Sequence, residues 1–133
     1  MQIDFSAITE YQRYKLMVSL IVPRPIALIT TLSEDGVVNA APSSMFNMLD
    51  EDPPPIVMVS INRLKDGALK HTAANIARTG EFVVHLSDEA MAEQMHRCAE
   101  RFPIDVSELA AVGLTAAPCN QVKPAMSTAI DKI

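Results

Sequence analysis

Two short stretches carry side chains that could hold one ligand between them. The first is Asn39-Ala40-Ala41-Pro42-Ser43-Ser44-Met45-Phe46-Asn47. Its small residues would let a backbone approach a flat molecule. Its hydroxyls and free backbone N–H groups would hydrogen-bond that molecule's edge. Pro42 removes one backbone donor and holds Ala41 extended, which predicts a stiff, non-helical segment. The second stretch gathers Ser60, Arg63, Lys65, Lys70 and Thr72 in one connection of an acidic chain. Lys70 and Thr72 stand at the predicted start of a helix, where unpaired N–H groups and a partial positive charge suit a phosphate. Arg63 offers the two-pronged donor that phosphate oxygens accept. Arg24, held between Pro23 and Pro25 on an extended segment, is a further fixed cation. Each stretch alone also reads as an ordinary polar surface loop. A site for a flat ring beside a site for a phosphate describes a mononucleotide-like cofactor such as FMN.

Other chemistries find less support. There is no Gly-x-Gly-x-x-Gly or Walker-type loop, and the four glycines are scattered. Ser43 and Ser44 lie outside any Gly-x-Ser-x-Gly elbow, which argues against a hydrolase. His71, His85 and His96 fall on different predicted elements, and His96-x-Cys98 lacks zinc-ligand spacing. They read as core or surface histidines, and no metal site is expected.

The elements that must position the two stretches follow from turn and periodicity signals. A helix is predicted over Glu10 to Leu20, capped by Ser6 or Thr9 and ended by Val22-Pro23-Arg24-Pro25. Ile26 to Leu32 is a first strand. Asp35-Gly36 turns it back into Val37 to Ala41, an antiparallel neighbour. Ile56 to Ile61, almost wholly apolar, reads as a third strand that is buried on both faces or lies centrally in a barrel. Thr72 to Arg78 reads as a helix with Gly80 just past its end, and Glu81 to Leu86 as a fourth strand. A long helix should start at Ser87-Asp88-Glu89, bury Met91, Met95, Cys98 and Phe102 on one face, and stop at Pro103. Asp105 to Glu108 has capping-box spacing, so a helical turn is expected from Ser107 to Ala111 before Gly113. An extended piece is expected around Val122, between Pro118 and Pro124.

These 133 residues are 49% apolar and 20% charged, which describes one folded domain over 1–133. The net charge of -5 argues against a nucleic-acid surface. No apolar run is long enough to span a bilayer, and no leader pattern opens the chain. The two cysteines, Cys98 and Cys119, are too few for a disulfide framework, so a reducing cytoplasm is the expected location. Cys98 should be a core residue on a helix and Cys119 should lie beside a loop.

The order of several short motifs resembles the flavin reductase-like family of FMN-binding split barrels, in particular its flavoredoxin-like branch. They are Val22-Pro23-Arg24-Pro25-Ile26-Ala27, Asn39 to Asn47, Asp52-Pro53-Pro54, Lys70-His71-Thr72-Ala73-Ala74-Asn75-Ile76, Gly80 to Leu86, and Gly113-Leu114-Thr115. The resemblance implies a mainly β protein, a six-stranded Greek-key split β-barrel with peripheral helices, that forms a homodimer with FMN at its interface. It implies that Ala41, Pro42, Ser43 and Ser44 line the flavin ring. Ser60, Arg63, Lys70 and Thr72 then lie near the phosphate, with Thr30 and Phe46 also at the cofactor. His71 stands where the family often has an acid, and Ser43 where it often has an aromatic. After Lys123-Pro124 the chain departs from the family pattern, which is the expectation of a C-terminally incomplete barrel, truncated after about residue 124. The implied activity is hydride transfer from NAD(P)H to flavin, with no catalytic side chain because the chemistry resides in the cofactor. Two other readings stay open: a non-enzymatic FMN electron carrier, and a structural paralogue that binds no flavin.

Overall fold

A computed structural model describes residues 2–127. A 3-10 turn at Phe5–Ala7 leads into helix α1, Glu10–Leu20. The cap of α1 is Thr9 and not Ser6. The Thr9 hydroxyl accepts from the Gln12 N–H while the Gln12 amide oxygen accepts from the Thr9 N–H, a reciprocal capping box. No residue of α1 is buried, and Tyr11, Met17 and Leu20 face outward.

Strands β1 (Ala27–Leu32), β2 (Val38–Ser43) and β5 (Val83–Leu86) form an antiparallel sheet in the order β2-β1-β5. The β1–β2 turn is built as its sequence predicts. The Ser33 N–H donates to the Val37 carbonyl at 2.9 Å, and Gly36 takes the left-handed φ of 81° that a side chain would disfavour. Strands β3 (Phe46–Asp50) and β4 (Ile56–Val59) pair in a separate hairpin, bulged between Met48 and Asp50. A short pair, β6 (Ala116–Ala117) and β7 (Met126–Ser127), closes the described chain. The described strands thus fall in three antiparallel sheets and not in one continuous ring.

Period-two alternation sorts the central sheet into two faces. Leu28 and Ala40 point into the main core with Met91, Cys98, Leu109, Val112 and Leu114. Ile29, Thr31, Asn39 and Ala41 point the other way, toward helix α2 (His71–Thr79). Three side chains dock that helix. The Asn39 amide donates to Thr72 Oγ1 at 3.0 Å, the Asn75 amide donates to Thr31 Oγ1 at 3.1 Å, and Arg78 donates to the Leu32 carbonyl. Gly80 ends α2 in the left-handed region, as expected, with its N–H on the Ile76 carbonyl.

Several expectations need correction. The apolar run at Ile56 is not buried on both faces. Ile56, Val57 and Met58 are exposed because, among the described residues, β4 pairs only with β3 and nothing covers that hairpin. Strand β3 itself was not expected. The helix after Ser87 breaks into a 3-10 turn, Glu89–Met91, and a short α3, Ala92–Arg97. Its cap is the Asp88 carboxylate, which accepts from the Met91 N–H, and not the Ser87 hydroxyl. An ionised carboxylate is the stronger acceptor of the two. Helix α4 covers Glu108–Ala111. Glu108 does not complete a capping box there, since its carboxylate accepts instead from the Ala40 N–H on β2 at 2.8 Å. The extended piece lies at 116–117 and 126–127, and Val122 sits in the turn between them. Cys98 is buried at the end of α3, and Cys119 is half-buried in a loop, as predicted. The expected departure of the chain end falls on residues 125–133, of which 128–133 lie outside the described residues.

Candidate functional site

A cleft of about 190 Å³ opens where the end of β2, the start of α2 and the segment after β4 converge. Ala41, Pro42, Ser43, Ser44, Ser60, Lys70 and Thr72 line it, so residues from both chemically suggestive stretches share one wall. The convergence has a simple cause. The Asn39–Thr72 bond pins the first turn of α2 to β2, and the Ser60 N–H donates to the Met45 carbonyl, which brings the β4 exit alongside Ser44.

Two hydroxyls in this wall are oriented by their partners. Arg24 donates to Ser44 Oγ at 2.8 Å, and Asn39 donates to Thr72 Oγ1. Each hydroxyl oxygen therefore already accepts a bond, which leaves its hydrogen to be donated elsewhere. Lys70 is the N-cap residue of α2 and makes no side-chain cap, so the N–H groups of the first turn are left to other acceptors. The lining is thus rich in donors: two turned hydroxyls, a helix N-terminus and an ammonium group. It suits a ligand that brings oxygen acceptors, a phosphate above all.

Three expected residues lie apart from this wall. Thr30 is one position off in the alternation. It is fully buried on the opposite face, where its hydroxyl donates to the Ala125 carbonyl at 2.8 Å. Ile29, directly before it, lines the cleft instead. Phe46 is half-buried on β3 opposite Val59. Arg63 is exposed and donates to the Gly67 carbonyl at 2.9 Å, which closes its own loop. The sequence reading passed over Tyr14, Met45, Ile61 and Asn62, which also line the cleft. The polar spacing after Ser60 was a usable signal for Asn62. Nothing local marked Tyr14, which reaches the site only through the placement of α1.

A second groove of about 400 Å³ continues from the first and shares Ala41, Pro42, Lys70 and Thr72 with it. Its far side is formed by Cys98 to Phe102 and by Glu108. Burial raises the Glu108 carboxyl above its ordinary range, opposed by the Ala40 N–H. Burial, and then the Glu108 charge, push the Cys98 thiol up to about 11, so it is protonated at neutral pH.

His85 lies under the sheet and away from both openings. Its Nδ1 bonds to the Leu28 carbonyl at 3.0 Å, and its Nε2 accepts from the Ser127 N–H at 3.0 Å. That pair of partners fixes the neutral ring with its proton on Nδ1, and burial holds its pKa below the ordinary value. It is a structural histidine that ties β1, β5 and β7 together.

A mainly antiparallel β fold with peripheral helices is the architecture of flavin reductase-type split barrels. The family model described as flavin reductase like domain matches residues 18–129, and the chain belongs to that family. The structure is similar to nitrilotriacetate monooxygenase component B from Bacillus cereus (TM-score 0.92, 35% identity, 98% of this chain and 63% of that one). It is also similar to 2-nitrobenzoate 2-nitroreductase from Pseudomonas fluorescens (TM-score 0.84, 37% identity, 98% and 61%). A split-barrel protein from Shewanella frigidimarina shares the fold at 24% identity and a TM-score of 0.79, over 98% of this chain and 64% of that one. In sequence, an uncharacterized protein of Bacillus subtilis is 48% identical over 101 residues, 76% of this chain and 48% of that protein. The chain spans about half the length of the curated relatives it matches.

Proposed function

We propose that this protein binds FMN in the cleft between β2 and α2 and passes a hydride from NAD(P)H to the flavin. The observation that carries the reading is the orientation of Ser44 and Thr72. Both hydroxyls accept a bond from a neighbour and keep their hydrogens free to donate, on the wall that also carries Lys70 and the open N-terminus of α2. The donor set fits a phosphorylated flavin. Thr72, Lys70 and the first-turn N–H groups would hold the phosphate, and the small residues Ala41 to Ser44 would lie along the ring. Bound FMN would supply the hydride-accepting centre. The chain's own task is to orient the ring with Ser44 and to narrow the cleft with Tyr14 and Ile29. Contact geometry and exclusion of water are what hydride transfer asks of a protein, so no side-chain acid or base is assigned.

The protein acts as a homodimer in this reading. Met48, Leu49, Ile56, Val57 and Met58 leave an apolar hairpin exposed in one copy, and a second copy would cover it. A cytoplasmic location accords with two free cysteines. Among the described residues no helix is long and apolar enough to cross a membrane.

The test is the visible spectrum of the purified protein, followed by anaerobic addition of NADH or NADPH. Flavin absorbance that co-purifies and bleaches on addition is expected. Flavin that binds but does not bleach would make the protein an electron carrier. Failure to bind added FMN would overturn the reading.

A further inference from the structure

Arg24 is a cation without a counter-charge beside the cleft. Ala27, the first residue of β1, pairs with Ser43, the last of β2, so the chain entering β1 runs beside the chain leaving β2. That register brings Arg24 to Ser44, and its guanidinium donates to Ser44 Oγ at 2.8 Å. Both residues are half-buried. Pro23 and Pro25 stiffen the backbone on either side, so little freedom is lost in holding the side chain there. Among the described residues no carboxylate pairs with Arg24. A permanent cation that is partly withdrawn from water and unpaired gains most from a negative group that comes to it. Ser44 lines the cleft and Arg24 does not, so the guanidinium acts on a ligand through that hydroxyl.

We propose that Arg24 is a positioning residue that makes the cleft hold its flavin more tightly in the reduced than in the oxidised form. This rests on the reading above, in which FMN lies along Ala41 to Ser44. The reaction proposed there moves a hydride, with both its electrons, from a nicotinamide carbon to the flavin. The flavin side of the site thereby becomes more negative by one charge, and the nicotinamide side more positive by one. Arg24 fills an acceptor position of Ser44, so the hydroxyl hydrogen is turned to another partner. With a cation behind it, that hydroxyl is polarised and donates more strongly. Such a donor gains little from a neutral ring and more from one that carries negative charge. Tighter binding of the reduced form is, by linkage, a higher reduction potential. Lys70 does not take this part, because in the same reading it meets the phosphate, whose charge is the same before and after the hydride moves.

The experiment measures the midpoint potential of FMN bound to the full chain, by equilibration with a reference dye, and the affinities for oxidised and chemically reduced FMN. The wild type is compared with Arg24→Ala, Arg24→Lys and Ser44→Ala, with circular dichroism to show that each variant is folded. Arg24→Ala should weaken reduced FMN about tenfold more than oxidised FMN, as expected for a charge-assisted hydrogen bond made mainly in one state. For a two-electron couple that ratio lowers the potential by about 30 mV. Arg24→Lys, which keeps the charge, should recover part of the loss. Ser44→Ala should lower the potential as well, and the two changes together should be less than additive because one hydrogen bond links them. A potential that does not move in Arg24→Ala, or equal losses for both redox states, overturns the proposal and leaves Arg24 a structural tie between β1 and β2. If Arg24→Ala does not fold, Ser44→Ala decides in the same way, since its unchanged potential would also overturn it. A wild type that binds no FMN overturns the reading above together with this proposal, whereas a wild type that binds FMN and variants that leave its potential unchanged overturn this proposal alone.

Discussion

Acid should loosen this fold through one histidine. His85 is nearly fully buried, with its Nδ1 on the Leu28 carbonyl and its Nε2 accepting from the Ser127 N–H, both at 3.0 Å. A proton added at Nε2 would face a backbone donor, so the β5–β7 tie would be lost. Burial is the main cause of the lowered pKa, and the Leu28 bond opposes it only in part. The folded pKa lies below the unfolded one, so the unfolded chain binds more protons and stability falls as pH falls. The loss begins near the unfolded value of about 6.5 and continues down to the folded pKa, with a slope approaching about 1.4 kcal/mol per pH unit. Urea unfolding of the wild type and of His85→Gln at pH 8, 6.5 and 5.5 measures it. Glutamine does not titrate, and the carboxylates and other histidines contribute equally to both proteins. The wild type should be the more stable at pH 8, and its advantage should shrink as the pH falls to 5.5, at a slope no steeper than about 1.4 kcal/mol per pH unit. An advantage that is the same at all three pH values would refute the reasoning.

Lys70→Ala should weaken FMN about tenfold and riboflavin far less, by calorimetric titration, because riboflavin lacks the phosphate. Arg63→Ala should have a smaller effect, since that guanidinium is turned to the Gly67 carbonyl. Thr72→Val should cost about 1–3 kcal/mol in denaturant unfolding, because it leaves the buried Asn39 amide without its acceptor. Met58→Asp on the exposed hairpin should shift light scattering from dimer to monomer while circular dichroism stays unchanged. A thiol reagent at pH 7.5 should label Cys119, whose backbone donors lower its pKa, well before the buried Cys98.

What could be read from sequence was what depends on near neighbours. The Asp35-Gly36 turn, the capping of α1 and the Gly80 stop are set within a few residues, and each lies where local chemistry puts it. The wall of the cleft was legible in the same way, because the small residues of Ala41 to Ser44 and the helix start at Lys70 are contiguous signals. The failures are of another kind. An apolar run such as Ile56 to Val59 has the same composition whether the chain's own core or a separate partner covers it, so pattern alone could not say it would be exposed. Thr30 was assigned to the ligand and Ile29 was not, a slip of one residue that reverses the face in a strand. Glu108 had capping-box spacing, but an unpaired N–H on Ala40, distant in sequence, took its carboxylate.

That last contact bears on what the sheet does with its outer rim. Among the described residues β2 pairs with β1 alone, so the N–H groups along its other side have no strand partner there. Glu108 occupies the donor at Ala40, and two residues further along the same rim Pro42 has no donor to offer. A carboxylate and an imino acid thus leave the middle of this rim without a hydrogen for an incoming strand to accept. The end of β2 that borders the cleft is guarded against strand addition by the residues that shape it, and replacing Glu108 would open a sticky margin at the mouth of that cleft.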